Sequence, residues 1–162
     1  MNNLAVKYGN RMGARILVLF GFFALGSLCV QAQQLSVQGG NQVLSVTTAL
    51  AGQEPASATN TNSSLRYRRQ ALNAKITVAT SCPAQKFTLR TLATGVTVGT
   101  AAPEVTLSNG MPATDFITNI PSGAGGFVTS TLQYTASATF AQGNSAEQGN
   151  DVHTVTYTLV AQ

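Results

Sequence analysis

The 162-residue chain is poor in charge and in the residue types that carry most catalytic chemistry. Only 9% of its residues are Asp, Glu, Lys or Arg, and it contains one histidine, two cysteines and no tryptophan. General acid–base catalysis needs positioned titratable groups, and the five acidic residues form no motif typical of glycoside hydrolysis. The glycines of GAGG lack the lysine and helix of a phosphate-binding loop. The composition therefore predicts a protein that is not an enzyme and uses no cofactor.

The first 32 residues have the pattern of a secretory signal peptide. Lys7, Arg11 and Arg15 form a positive region, and an apolar run follows over residues 16–30. The run is shorter than the roughly 20 apolar residues of a membrane-spanning helix. Val30-Gln31-Ala32 then matches a small-residue cleavage site. We therefore predict a signal-peptide helix over 1–32 and a mature chain, not membrane-spanning, in the periplasm, at the cell surface or outside the cell.

Lipid anchoring at Cys29 is the alternative for this segment. A lipoprotein signal places a small residue directly before the modified cysteine and a leucine three residues before it. Here Leu28 and Gly26 occupy those positions. The downstream site at Ala32 fits better, and the anchor stays the less favoured reading.

The mature chain is almost neutral and keeps a single thiol. After residue 32, six Lys and Arg side chains stand against five Asp and Glu, a net charge of +1. The chain therefore offers no charge-based argument for nucleic acid as a partner. Cys82 has no second cysteine to pair with inside the mature chain, so it is either a buried free thiol or a bridge between chains. Burial is favoured because free cysteine is among the most buried residue types.

Apolar residues alternate with polar ones through most of the mature chain, which is typical of strands with one buried face. The two clearest runs are TLQYTASATF, with Leu132, Tyr134, Ala136, Ala138 and Phe140 inward, and HTVTYTLVA, with Val155, Tyr157, Leu159 and Ala161 inward. We expect these two runs to pair as an antiparallel hairpin.

Shorter runs complete the predicted fold. One of them places Val96 and Val98 on a strand, and residues 51–63 read as a long polar connection. About eight to ten short strands predict an all-β fold. We expect a single antiparallel β-sandwich of immunoglobulin-like or Greek-key type over 43–162. Residues 33–42 would form an N-terminal extension or a first strand.

Candidate chemistry is sparse. His153 and Asp151 lie two residues apart, but two ligands do not complete a metal site. A Cys82/His153 nucleophile would require the fold to bring the two residues together. Arg66 and Arg68 flank Tyr67 and form a candidate interaction face. No residue is therefore assigned a catalytic, cofactor-binding or metal-binding role.

The C-terminal stretch GNDVHTVTYTLVAQ resembles the last strand of bacterial fimbrial subunits of the chaperone–usher type. A glycine lies fourteenth from the end, and Val155, Tyr157 and Leu159 alternate as in that family, although Ala161 replaces the usual penultimate aromatic residue. The early cysteine pair of the family is also missing. The resemblance implies an incomplete sandwich that a neighbour's N-terminal strand completes. Leu35 and Val37 would then be the donated residues, with Val155, Tyr157 and Leu159 on the pairing strand.

Together these patterns predict an exported structural or surface-interaction protein, namely a self-assembling filament, pilus or extracellular matrix subunit. Its partners would be copies of itself, joined by strand pairing. The alternative is a monomeric secreted binding module that recognises a glycan or a cell-surface protein through Arg66, Arg68 and nearby loops.

Overall fold

The computed structural model describes residues 2–8, 35–48, 50–143 and 145–162. Within these ranges the regular structure is almost entirely strand, with turns and two short helical segments between the strands. The strands are β1 (Asn2–Tyr8), β2 (Leu35–Gln38), β3 (Gln42–Val46), β4 (Ala58–Arg68), β5 (Ala74–Ser81), β6 (Thr88–Thr94), β7 (Thr100–Ala101), β8 (Val105–Leu107), β9 (Thr114–Ile120), β10 (Phe127–Ser137) and β11 (Asp151–Ala161). A 3₁₀ turn, Phe140–Gln142, and a one-turn helix, α1 (Ser145–Gln148), lie between β10 and β11.

The strands form two sheets. One has the order β3-β1-β11-β5-β9-β7, and the other has the order β2-β4-β10-β6-β8. Neighbouring strands are antiparallel, except that β1 runs parallel to β11. The predicted all-β fold class is confirmed at this level: the chain forms two largely antiparallel sheets.

Inward-facing side chains from both sheets make one apolar core. The alternation read from the sequence sets which residues enter it, because successive strand residues point to opposite faces. The largest fully buried side chains are Tyr67, Tyr134, Phe116, Leu65, Ile76, Leu89, Leu107, Ile117, Ile120, Leu132 and His153. Each large apolar side chain buried here stabilises the fold by about 1.5–3 kcal/mol.

The predicted hairpin between the last two long strands is wrong. β10 pairs with β4 and β6, whereas β11 pairs with β1 and β5 in the other sheet. The connecting segment crosses from one sheet to the other, and Phe140, predicted inward, lies 57% exposed in that segment. The alternation shows only that each strand has one buried face. Two strands that face each other from opposite sheets show the same alternation as two strands paired in one sheet.

Two shorter predictions also fail. Val96 and Val98 lie in an irregular crossing from β6 to β7, where Gly99 has φ +95° and approaches Thr118 too closely for a Cβ atom. Their apolar side chains still pack on the core, which explains the misleading pattern. The polar connection over 51–63 is shorter than predicted, since β4 starts at Ala58 and its polar end pairs with β10.

The N-terminal residues differ from the predicted helix. Asn2–Tyr8 forms β1 between β3 and β11, and the alternation of Leu4, Val6 and Tyr8 suits a strand. The apolar run and the cleavage site lie within residues 9–34, outside the described residues, so the signal peptide stays a prediction. Among the residues described, no helix is both long enough and apolar enough to cross a membrane.

Candidate functional site

Cys82, Asp151 and His153 form a buried cluster at one end of the core. One potential ligand atom from each residue lies within 4.8 Å of the other two. Cys82 and Asp151 are each 2% exposed, and His153 is fully buried. All three side chains are of types that can bind a metal ion. Among the described residues, they form the one group of this kind that the fold brings together.

Strand register explains how distant residues meet here. β5 ends at Ser81, which pairs with Thr154 near the start of β11. One step beyond that pair, the chain reaches Cys82 on one side and His153 on the other. Asp151 lies two residues before His153 and therefore shares its inward face.

Backbone donors hold the Asp151 carboxylate in place. The N–H of Lys86 donates to Oδ1 at 3.0 Å and to Oδ2 at 2.9 Å, and the N–H of Phe87 donates to Oδ2 at 2.8 Å. Each carboxylate oxygen has two lone pairs. Oδ1 accepts one of these bonds and Oδ2 accepts two, so Oδ1 retains acceptor capacity.

Thr80 fixes the orientation of the His153 ring. Its hydroxyl lies 3.2 Å from Nδ1 and also donates to the carbonyl of Thr154 at 3.4 Å. With the hydroxyl proton directed to that carbonyl, Nδ1–H donates to Thr80 and Nε2 carries the free lone pair. Nε2 is buried and has no hydrogen-bond partner among the described residues.

Burial shifts both titratable partners of Asp151 toward their neutral forms. Desolvation lowers the pKa of His153, while the charge of Asp151 opposes that shift. Desolvation also raises the pKa of the Cys82 thiol, and Asp151 raises it further. The backbone N–H groups of Val152 and Ala84 face the sulfur and partly oppose this rise. In the absence of a cation, the cluster therefore holds a thiol and a neutral imidazole.

The turn that covers the cluster is tied to the neighbouring strands. Gln85 donates through its side chain to the carbonyls of Phe87 and Leu107, and its side-chain oxygen accepts from the N–H of Asn109. Asn109 in turn accepts from the N–H of Cys82 at 2.8 Å. These bonds fix the backbone on both sides of the thiol.

This chemistry suits a small cation better than a covalent reaction. Nucleophilic cysteines are thiolates in partly exposed, electropositive surroundings. Cys82 is instead buried, and its pKa is raised. A thiol, an imidazole nitrogen and a carboxylate oxygen are ligands that zinc accepts in proteins.

The sequence pattern contained only part of this cluster. Asp151 and His153 stood out by their spacing, but the third group comes from a strand end some seventy residues earlier. The pairing of β11 with β5 brings Cys82 to His153, a meeting that the sequence left for the fold to decide. The signal in the sequence was a lone cysteine at the end of a strand run.

Comparison with known protein families, with curated proteins and with solved structures finds no match for this chain.

The predicted assembly residues lie in different sheets of the fold. Leu35 and Val37 are partly buried in β2, an edge strand that pairs with β4 of the same chain. Val155, Tyr157 and Leu159 lie buried along β11, in the other sheet. Between β11 and β3, the position in that sheet is filled by β1.

The predicted interaction face is organised around an aromatic ring. Arg66 and Arg68 lie on β4, and Phe127 lies directly across from Arg68 on β10. The Cζ atom of Arg66 is 3.6 Å from the Phe127 ring centroid, and that of Arg68 is 5.6 Å from it. Beside this patch, residues 68–71 and 123–125 line an open depression of about 370 Å³.

Proposed function

We propose that the protein is an exported, non-enzymatic structural subunit that assembles by exchanging strands between copies. The observation that carries this proposal is the place of β1. Asn2–Tyr8 lies between β3 and β11, inside the segment predicted to be removed on export. Removal of that segment would separate β3 from β11 and leave their facing backbone groups without partners.

The strand order supports an immunoglobulin-like sandwich with one exchangeable position. In such a domain the first sheet has the order A-B-E-D, and the second contains C-F-G. The order β2-β4-β10-β6 corresponds to the first sheet, and β5-β11 corresponds to C-F. The G position beside β11 is filled by β1 instead of by a strand that follows β11.

Residues 33–40 are the proposed donor from a neighbouring copy. β1 pairs with β11 over five residues, and QQLSVQ contains a strand of similar length with alternating Leu35 and Val37. In the single chain this strand lies at a sheet edge and is followed by Gly39 and Gly40, both with positive φ. Transfer of this strand would break its four-residue pairing with β4, and strand addition to the open edge of β11 would form a new ladder of backbone hydrogen bonds there.

The test is the mass of the exported protein. The full chain is expressed with its own leader, its N-terminal residue is determined by mass spectrometry, and its assembly is followed by light scattering. We expect processing before Gln33 and assemblies larger than a monomer. A processed protein that stays monomeric would exclude strand exchange, and an intact leader would exclude the export step.

A matched pair of variants locates the donor. Leu35→Asp with Val37→Asp places two charges on the inward face of β2, whereas Ser36→Asp with Gln38→Asp places the same charges on its exposed face. The first pair should abolish assembly, and the second should leave it intact. Equal behaviour of the two pairs would remove residues 33–40 as the donor.

The Arg66–Phe127 patch supports a second candidate, a monomeric module that binds an anionic glycan or an acidic protein surface. A stacked arginine presents a fixed planar donor, and the adjoining depression includes Arg69. This candidate predicts a monomer whose binding to a heparin column weakens in Arg66→Ala with Arg68→Ala.

A further inference from the structure

We propose that Cys82, Asp151 and His153 bind a zinc ion. This inference does not depend on the assembly proposed above. It concerns inward-facing side chains of β11 within the core of one chain, whereas the proposed assembly uses the backbone groups along the edge of that strand.

The cluster contains ligands of the correct types at nearly the correct separation. Zinc binds cysteine sulfur at about 2.3 Å and histidine nitrogen or carboxylate oxygen at about 2.0–2.2 Å. Three ligands of a tetrahedral ion therefore lie roughly 3.5 Å from one another. The three atoms already lie within 4.8 Å of one another, and a contraction of about 1 Å through side-chain torsions completes the set.

The unpartnered histidine nitrogen is the second, independent observation. A buried polar atom without a hydrogen bond destabilises the fold, and such atoms are rare in native proteins. Nε2 of His153 is buried and has no partner within the described part of the chain. A metal ion accepts its lone pair, and the Thr80 hydroxyl opposite Nδ1 is the kind of outer partner that orients zinc-bound histidines.

The other two ligands are positioned in the same way. Oδ1 of Asp151 has a free lone pair, while the Lys86 and Phe87 N–H groups fix its carboxylate. The N–H groups of Ala84 and Val152 face the Cys82 sulfur and stabilise a bound thiolate. Outer-shell bonds of this kind make a site rigid before the ion arrives.

Binding is a proton-releasing step. The S–H bond of Cys82 breaks, its proton goes to solvent, and the thiolate sulfur forms a bond to Zn²⁺. The imidazole binds in its neutral form through one nitrogen lone pair, and that form loses no proton in the step. A fourth position remains for one water molecule, as in other three-ligand zinc sites.

Structural zinc sites usually have four protein ligands, and three with a water is more typical of catalytic sites. The role we propose here is nevertheless structural, because all three ligands are buried. The ion would connect the end of β5 to the start of β11, which are otherwise joined at this end by strand pairing and by the bonds to the covering turn. Ligands that bind only the folded state raise the melting temperature. We expect the Tm of the full chain to rise by about 5–10 °C at a hundredfold excess of zinc over the Kd.

The experiment uses the full 162-residue chain, purified reduced and stripped of metal. Zinc is added, and the Tm and the binding stoichiometry are measured by thermal unfolding and calorimetry. One equivalent and a raised Tm are expected, with both lost in Cys82→Ser and in His153→Gln. Cys29→Ser is the matched control for the only other cysteine, and Asp115→Asn is the control for an exposed carboxylate. Both controls should bind zinc normally.

A measurement on the unmodified chain covers the case in which the variants do not fold. Cobalt(II) bound to a thiolate gives a sulfur-to-metal charge-transfer absorption in the near ultraviolet. That band should saturate at one equivalent and disappear on addition of zinc. Its absence at saturating cobalt, or its loss in Cys29→Ser with retention in Cys82→Ser, would overturn the proposal.

Discussion

Two buried polar clusters share the inward face of β11 and are satisfied in different ways. Near the middle of the strand, the Tyr157 hydroxyl lies 3.0 Å from that of Tyr134 and 3.1 Å from that of Thr91. At the start of the strand, Asp151 and His153 meet Cys82, and one histidine nitrogen has no partner among the described residues. We call these the tyrosine cluster and the cysteine cluster.

The difference follows from what each group can donate and accept. A hydroxyl both donates and accepts, so three hydroxyls can close a chain of hydrogen bonds among themselves. A carboxylate only accepts, and a neutral imidazole needs a donor on one nitrogen and an acceptor on the other. The cysteine cluster therefore needs an additional group to be complete, and a cation supplies it.

Removing the anchor of the cysteine cluster should give the largest effect. Asp151→Ala leaves the N–H groups of Lys86 and Phe87 without their charged acceptor. We expect a loss of about 2–4 kcal/mol in the free energy of unfolding, because hydrogen bonds to charged groups are worth about 1.5–3 kcal/mol each. Urea denaturation with a chelator present measures it.

Asp115→Ala is the control for this prediction, since Asp115 forms an exposed ion pair with Lys75. Such pairs contribute about 0–1 kcal/mol. Equal losses in the two variants would contradict a structural role for the buried carboxylate.

Removing the central hydroxyl of the tyrosine cluster should lower the unfolding free energy by less than Asp151→Ala does. Tyr157→Phe keeps the ring beside Phe116 but removes the hydroxyl that joins Tyr134 to Thr91. We expect a loss of about 1–2 kcal/mol in unfolding free energy, since buried partners lose a hydrogen bond. In metal-free protein, we expect His153→Leu to lower the unfolding free energy by less than Tyr157→Phe does. The reason is that only one of the two ring nitrogens of His153 has a hydrogen-bond partner among the described residues. The reverse order would break the comparison between the clusters.

Of the two clusters, we expect acid to destabilise the cysteine cluster. Burial lowers the pKa of His153 below its unfolded value near 6.5, so the unfolded chain binds the proton more readily. Stability from this group is complete above pH 6.5 and is lost as the pH falls toward the folded pKa. The slope is at most about 1.4 kcal/mol per pH unit.

Chemical denaturation of metal-free protein between pH 7 and pH 5 tests this expectation. The unfolding free energy should fall between pH 7 and pH 5 in the native chain and in Tyr157→Phe. It should not fall in His153→Leu. A decline of the same size in His153→Leu would assign it to other groups.

The smallest effect is expected at the surface. Arg66→Ala removes the guanidinium that stacks on Phe127, and exposed cation–π contacts are worth about 0.5–1 kcal/mol. In a Phe127→Leu background the same substitution should have no further effect on the unfolding free energy. An undiminished effect in that background would show that Arg66 acts through another contact.

Much of the core could be predicted from the sequence. Leu132, Tyr134 and Ala136 were expected on one face of a strand, as were Val155, Tyr157 and Leu159, and all of them are buried. Burial of alternate residues is a local property of an extended chain, so it can be read without knowing which strands are neighbours.

The cysteine cluster could not be predicted in the same way. Its assembly depends on the pairing of β5 with β11, and backbone hydrogen bonds in a ladder do not depend on side-chain identity. The alternation of β11 is equally compatible with β10 or β5 as a neighbour, so the sequence leaves open whether Cys82 and His153 meet.

The sequence by itself determined the all-β class and the inward faces of the long strands, because both follow from composition and period. Only the tertiary structure decided which sheet each strand joins, that Asn2–Tyr8 lies between β3 and β11, and that one thiol meets the single histidine. Those outcomes depend on contacts between residues far apart in the chain, which are fixed when both sheets pack their apolar faces on one core.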